Sequence, residues 1–193
     1  MARPRDLARS FYKRDSRVVG PELLNKVLVH GRRRARLVEV EAYVGGIDPG
    51  SHAYRGQTPR NAVMFGPAGH LYVYFTYGMH WCANAVCGEL GEGSAVLLRA
   101  GEPLAGLDEM HAARPGAKGI ERDLCRGPAR LCQALGIDGT LNGVDLVAPG
   151  GVRIVDDGVP PPVGPGASVR IGLSAGADLP WRWYVPDNRY VSR

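Results

Sequence analysis

Lysine is almost missing from this chain of 193 residues: Lys13, Lys26 and Lys118 are the whole supply, within 24 Lys and Arg together. The basic charge is therefore arginine charge, which pairs with phosphate through a planar fork where lysine offers a point charge. Cysteine is also scarce. Cys82, Cys87, Cys125 and Cys132 are too few and too widely spaced for a disulfide framework, and they read as reduced thiols. Neither Cys-x4-Cys nor Cys-x6-Cys has the short spacing of a structural zinc site, and the histidines do not sit beside them in a ligand pattern, so neither a metal nor a cofactor is called for. No apolar run approaches the ~18 residues that span a bilayer, and the first segment, MARPRDLARSFYKRD, lacks the apolar stretch of a secretory signal. The expectation is a cytoplasmic protein without a membrane partner.

Apolar residues are plentiful by contrast. With 45% hydrophobic and 22% charged residues, global disorder and collagen-like repetition are excluded, and one domain over residues 1–193 is expected. The formal charge of +5 is modest. It suits a nucleic-acid partner, and it equally suits a codon preference for arginine. The clusters Arg3/Arg5/Arg9, Lys13/Arg14/Arg17 and Arg32/Arg33/Arg34/Arg36 favour the first.

The apolar spacing predicts a short helix over residues 5–13, with Pro21 opening a second stretch that holds Leu23 and Leu24. From Lys26 the period changes to two. Val27–Val29 and Leu37–Tyr43, separated by Gly31, read as a hairpin. Residues 44–61, rich in Gly, Pro, Ser and Asp, form a loop of a length that is uncommon unless it carries function. His70–Tyr77 and Trp81–Val86 read as two antiparallel strands around Gly78-Met79, and Ala95–Leu98 as another. Pro103–Ala113 and Pro128–Leu135 are expected helices, the second closed by Gly136. Further strands are expected near Asp145–Val147, Val152–Val155 and Val169–Leu173, with a Pro-rich turn at 160–165. Strands dominate a mixed order, so the fold class is α+β: a mostly antiparallel sheet with surrounding helices and a protruding β-hairpin.

Two clusters carry chemistry. Period-two geometry puts Glu39, Glu41 and Tyr43 on one face of their strand, the carboxylates roughly 6 to 7 Å apart, and Val38, Val40 and Ala42 on the other. This is either a solvated strand face or a paired-carboxylate site at the mouth of the long loop, with His52 at the loop's far side. The second cluster is the aromatic hairpin of Tyr72, Tyr74, Tyr77, His80 and Trp81. A tyrosine stripe on a strand is commonly core. A ring at the tip of a tight turn, as at Tyr77, projects instead and in a basic protein can wedge between bases.

Across roughly residues 6 to 190 the chain resembles the 3-methyladenine DNA glycosylases of the alkyladenine type. The resemblance is carried by Val40-Glu41-Ala42-Tyr43, by Gln57-Thr58-Pro59-Arg60-Asn61 and by Leu71-Tyr72-Val73-Tyr74 followed by Tyr77-Gly78-Met79. It continues in Val96-Leu97-Leu98-Arg99-Ala100 with Glu102-Pro103-Leu104, and in Gly127-Pro128 through Leu131–Leu135. It implies a fold related to the C-terminal domain of formyltransferases and a monomer acting on double-stranded DNA that contains damaged purines, in the nucleoid if the source is bacterial. By resemblance, Glu41 is the carboxylate that deprotonates the attacking water, and Arg99 helps hold that water. Tyr43 and His52 sandwich the flipped base, Tyr74 closes the pocket edge, Asn84 helps exclude normal purines, and the backbone of Gly50, Ser51 and His52 bonds the base edge. Tyr77 intercalates into the vacated stack, with Met79, His80 and Arg60 as further DNA contacts.

A lyase step commonly needs an amine nucleophile, and none of the three lysines lies in a motif near Glu41, so a monofunctional enzyme that leaves an abasic site is expected. His80 stands where the resemblance calls for an aromatic ring; it can touch DNA, stack on Trp81 or titrate near neutral pH. The loop Val44–Ser51 is richer in glycine than the resemblance calls for, which implies looser pocket walls. Two other readings stay open from residues alone: a non-catalytic nucleic-acid-binding module using the aromatic hairpin, and a small-molecule hydrolase or transferase on a shared scaffold.

Overall fold

A computed structural model describes residues 4–192. Its core is one sheet in the order β1 (Arg5–Asp6), β7 (Arg153–Asp156), β2 (Val27–His30), β3 (Arg33–Val44), β6 (Ser94–Ala105), β5 (His80–Cys87) and β4 (Leu71–Thr76). Every pairing is antiparallel. Two short strands, β8 (Gly166–Ser168) and β9 (Arg182–Tyr184), complete it by pairing with each other and, through β9, with β3. With α1 (Arg9–Tyr12), α2 (Ser16–Leu23), α3 (Leu107–Ala113) and α4 (Pro128–Leu135) around the sheet, the fold class is α+β.

The length of β3 organises everything else. Its twelve residues extend about 40 Å at the usual rise, enough for two neighbours in succession on one edge. Residues 33–36 pair with β2 and residues 39–41 with β9, while β6 runs along the other edge. Glu39 and Glu41 therefore sit on a central strand. The amphipathic helix α4 opens at Pro128 and closes at Gly136, which adopts φ +67°. It buries Leu131, Cys132, Ala134 and Leu135 in a core shared with Leu37, Val40, Leu71, Val96 and Leu98. All four cysteines are buried free thiols.

Several expected elements are shifted. Residues 5–13 hold strand β1 and then a single helical turn, because Arg5 and Asp6 pair with β7 at the sheet edge. Pro21 does not open a helix. It sits inside α2, whose start is set by Asp15, with its side chain accepting from the Arg17 N–H. Strand β6 runs on through Pro103 to Ala105, and α3 begins only at Leu107. Proline is tolerated there because β5 pairs only with Ser94–Leu97, so one edge of β6 is free of a partner strand at position 103. Asp145 makes an isolated bridge to His70 in place of a strand, and residues 169–173 form none, with the Ile171 N–H donating to a side chain, Glu41.

Part of the arginine clusters is tied into the fold, while Arg5, Lys13 and Arg34 are exposed. Arg9 pairs with Asp145, Arg14 with Glu22, Arg17 with Asp15 and Arg36 with Asp157, while Arg33 donates to the Ala134 carbonyl. Arg32 remains mostly exposed, and Arg3 lies outside the described residues. Among the described residues no helix is long and apolar enough to cross a membrane, and no group of three or more His, Cys, Asp or Glu is arranged to hold a metal ion.

Candidate active site

The face of β3 that carries Glu39 and Glu41 is not solvated: both carboxylates are 0% exposed. Two compensating bulges shape the ladder here. Val38 is the extra residue on β3, between the pairs Leu37–Gly101 and Glu39–Ala100, and Arg99 is the extra residue on β6, between Glu39–Ala100 and Val40–Leu98. A bulge re-aims the side chain it carries. Arg99 thereby reaches both carboxylates, Nε to Glu39 Oε1 at 3.1 Å and Nη1 to Glu41 Oε1 at 3.2 Å.

Each carboxylate has several further partners, and Glu41 Oε2 keeps room for one more donor. Glu39 also accepts from Arg182 Nε at 2.7 Å, the Ser192 N–H at 2.6 Å and the Ser192 hydroxyl at 2.9 Å. Glu41 accepts from the Ile171 N–H at 2.8 Å on Oε1 and from the Tyr43 hydroxyl at 2.8 Å on Oε2. Two carboxylates face two guanidiniums, and buried charge persists only when paired and hydrogen-bonded in this way. Burial by itself would lower the Arg99 guanidinium, but Glu41 and Glu39 overcome it and hold it above its ordinary value. Burial, then the charge and hydrogen bond of Glu41, push the Tyr43 phenol far up, so that it remains a donor to Glu41.

Beside the carboxylate lies a small cavity walled by Tyr43, Gly50, His52, Met64, Tyr72, Tyr74, Asn84 and Leu173. Sheet register explains the neighbourhood. Glu41 pairs with Leu97, Leu97 with Asn84 and Asn84 with Tyr72, so one row across four strands spans from the carboxylate to the aromatic wall, roughly 14 Å at the usual strand spacing. Tyr43 belongs to both parts, its ring on the wall and its hydroxyl on Glu41.

The wall is an aromatic cage. His52 contacts the Tyr72 hydroxyl through Nδ1 at 3.2 Å and meets the Tyr74 ring edge-on at 4.5 Å, and Tyr72 stacks on Tyr74 at 5.5 Å. Burial, then the nearby Arg60, hold the His52 imidazole below its ordinary value, which leaves it neutral at neutral pH. Burial pushes the Tyr72 phenol up to about 12. Asn84 donates to the Tyr72 carbonyl at 3.1 Å while lining the cavity. Asn61, from the Gln57–Asn61 segment, donates to the His52 carbonyl at 2.8 Å and so fixes the histidine's backbone.

The loop before His52 departs from expectation twice. The N–H groups of Gly50 and Ser51 are not free for a base edge: Gly50 donates to the Asp48 carboxylate and Ser51 to the Asp48 carbonyl, each at 2.9 Å. Ser51 does not line the cavity, and its hydroxyl accepts from the Ala53 N–H. Nor is the loop loose. Asp48 is fully buried, and a Cβ on Gly50 would lie 2.9 Å from Leu173 Cδ1, from the Ala175 carbonyl and from Arg170 Nη2. Glycine at 50 serves close packing.

The hairpin of β4 and β5 carries the cavity's aromatics at its base and Tyr77 at its tip, three residues beyond Tyr74, roughly 10 Å along the strand. Tyr77 and Gly78 adopt φ +51° and +66°, the double left-handed turn that suits a twisted hairpin, and Tyr77 is 80% exposed. A bulky non-glycine residue in that region is unusual, and no packing compensates it. Met79 and His80 are exposed beside it. Trp81 packs on Phe75 with ring centres 4.6 Å apart, so His80 is not its stacking partner. Arg60 donates to the Phe75 carbonyl and holds its charge near both the hairpin and His52.

The structure thus brings together Glu41, Arg99, Tyr43, His52, Tyr74, Asn84 and Gly50, with Tyr77, Met79, His80 and Arg60 on the adjoining hairpin side. Sequence reading missed Asp48, Arg170, Ile171, Arg182 and Ser192. The two arginines were hidden in an arginine-rich composition, and a backbone N–H such as that of Ile171 leaves no mark in residue type.

The chain is similar to known proteins along nearly its whole length. Residues 10–189 match the model of the methylpurine-DNA glycosylase family. A protein of Burkholderia lata is 62% identical over 188 residues, covering 96% of this chain and 90% of that protein. Proteins of Carboxydothermus hydrogenoformans and Methanoculleus marisnigri are each 48% identical, covering 97% of this chain and 98% of their own length. All three are named "Putative 3-methyladenine DNA glycosylase". The chain therefore belongs to the methylpurine-DNA glycosylase family and is an enzyme of the DNA-glycosylase class.

Proposed function

We propose that this protein acts as a monomer on double-stranded DNA, flips out alkylated or deaminated purines, 3-methyladenine among them, and hydrolyses their N-glycosidic bond to leave an abasic site. The described residues act as one glycosylase domain. The observation that carries the reading is a fully buried Glu41, held by Arg99, Tyr43 and the Ile171 N–H, at the side of an aromatic-walled cavity.

The physical requirements follow in order. A glycosidic bond inside a duplex is out of reach, so the nucleotide must leave the stack, at a cost of a few kcal/mol that is smallest for a damaged pair. Tyr77, exposed at the hairpin turn, fills the gap, while Met79, His80 and Arg60 contact the DNA around it. The base enters between Tyr43 and His52, with Tyr74 at the edge and Asn84 screening normal purines. Alkylated purines carry positive charge or an electron-poor ring, which aromatic faces favour by about 1 to 2 kcal/mol once desolvated. A neutral His52 adds no repulsion. The transition state resembles an oxocarbenium ion, so an ionised Glu41 both stabilises the developing charge and takes the proton of the attacking water, which Arg99 helps hold.

The lysines support a monofunctional enzyme. Lys26 is tied to Asp156 at 2.8 Å, Lys13 lines a separate cleft, and none of the three lines the aromatic cavity. A purely binding module has no use for a buried carboxylate engaged by a guanidinium, a phenol and a backbone amide.

The test is incubation with duplexes that each carry 3-methyladenine, 7-methylguanine, hypoxanthine or ethenoadenine, followed by alkaline cleavage. Strand breaks at the lesion after alkali, and none in undamaged duplex, are expected; no break at any lesion overturns the reading. A covalent adduct trapped by borohydride overturns the monofunctional part. For Tyr77→Ala, lost stacking of about 1–3 kcal/mol predicts lesion-duplex binding weakened by about 5- to 150-fold at unchanged thermal stability. Equal affinity in a fluorescence titration would remove the wedge from the account.

A further inference from the structure

The fold buries a second ion pair that the mechanism above does not use. Asp48 and Arg170 have side chains 0% exposed and meet as two parallel bonds, Nη1 to Oδ2 at 2.5 Å and Nη2 to Oδ1 at 2.7 Å. The same guanidinium donates to the Ala42 carbonyl at 2.9 Å and the Gly176 carbonyl at 3.0 Å, and lies over the Tyr43 ring at 4.7 Å. Asp48 in turn accepts from the Val44 and Gly50 N–H groups. One pair thus bolts together the end of β3, the loop before His52 and the segment 170–176.

Each of those segments delivers a part of the site. The end of β3 carries Tyr43, the loop carries Gly50 into the cavity wall, and the third segment supplies the Ile171 N–H to Glu41 and Leu173 to the wall. Stability does not account for the pair. A buried ion pair commonly does no better than apolar side chains of similar volume, and here Arg170 Nε is buried without a partner among the described residues.

We infer that Asp48 and Arg170 are positioning residues for base excision, acting through the Ile171 amide and the Tyr43 ring to hold Glu41 and the cavity wall in reactive register. This rests on the glycosylase reading of the cavity. A misplacement of about 1 Å far from the reacting atoms is enough to cost roughly 100-fold in rate.

The experiment compares wild type with Asp48→Leu/Arg170→Met, which removes both charges at similar volume. It measures the single-turnover rate of base release at saturating enzyme, the affinity for duplex carrying a stable abasic-site analogue, and the melting temperature. The expected result is a rate about 100-fold lower, with abasic-duplex affinity within a few fold and the melting temperature preserved, a split that a purely structural role does not produce. A folded double variant that excises at the wild-type rate overturns the inference. Arg170→Lys keeps the charge but loses the fork, and covers the case of a double variant that does not fold. It is expected to slow excision about 10-fold with unchanged abasic-duplex affinity, and a wild-type rate there equally overturns the inference. Inactive wild type, by contrast, removes the glycosylase reading itself, so the two failures are distinct.

Discussion

Glu41→Gln is expected to slow base release by about four orders of magnitude, while lesion-duplex binding stays within a few fold. General base catalysis supplies about 10²- to 10⁴-fold, and the same carboxylate stabilises the oxocarbenium charge. Glutamine is close in shape. Its amide oxygen still accepts from Arg99 and the Ile171 N–H, and the Tyr43 hydroxyl can rotate to accept from its amide nitrogen. The fold survives with a lower unfolding midpoint, since charge-assisted hydrogen bonds of about 1.5–3 kcal/mol are weakened. Single-turnover assays on one lesion duplex, with a parallel binding titration, decide it. Base release at the same rate in both proteins would end the catalytic assignment of Glu41.

Arg99→Met is expected to cost about 3–5 kcal/mol of stability, the usual consequence of removing one partner from a buried charge cluster. The number is large beside the ~5–15 kcal/mol that holds a domain together. Glu39 keeps Arg182 and Ser192, but Glu41 loses its guanidinium and retains only a phenol and an amide at a buried position. Urea unfolding measures the change, and a loss below about 1 kcal/mol would show that Arg99 is not the counter-charge that the geometry makes it. Excision in this variant falls together with stability, so the rate is read well below the unfolding midpoint.

Much of the fold was legible because periodicity and punctuation are local. The alternation in Leu37–Tyr43 placed Glu39, Glu41 and Tyr43 on one face, and Pro128 with Gly136 bounded α4. Errors fell where a partner strand decided. Pro103 looked like a helix start, and it sits in β6 because the strand's far edge is open there. Arg5 and Asp6 looked helical and instead pair with Asp156 and Val155 of β7, far along the chain.

The arginine clusters show a related difference between composition and structure. Composition counts charges without their partners, and Arg9, Arg14, Arg17 and Arg36 each have an acidic one. The looseness expected of Val44–Ser51 is not found: Gly50 permits close packing, and the Asp48–Arg170 pair bolts the loop in place.

By itself the sequence determined the strand-rich class, the pairing of acidic and aromatic residues on one face of β3 and the aromatic hairpin, because alternation along a chain needs no knowledge of what lies beside it. Tertiary structure alone decided that Glu39 and Glu41 are buried, that a bulge turns Arg99 between them, and that residues 170–192 return to close the site. Burial and ion pairing depend on segments more than a hundred residues apart meeting in space, and no local pattern records that meeting.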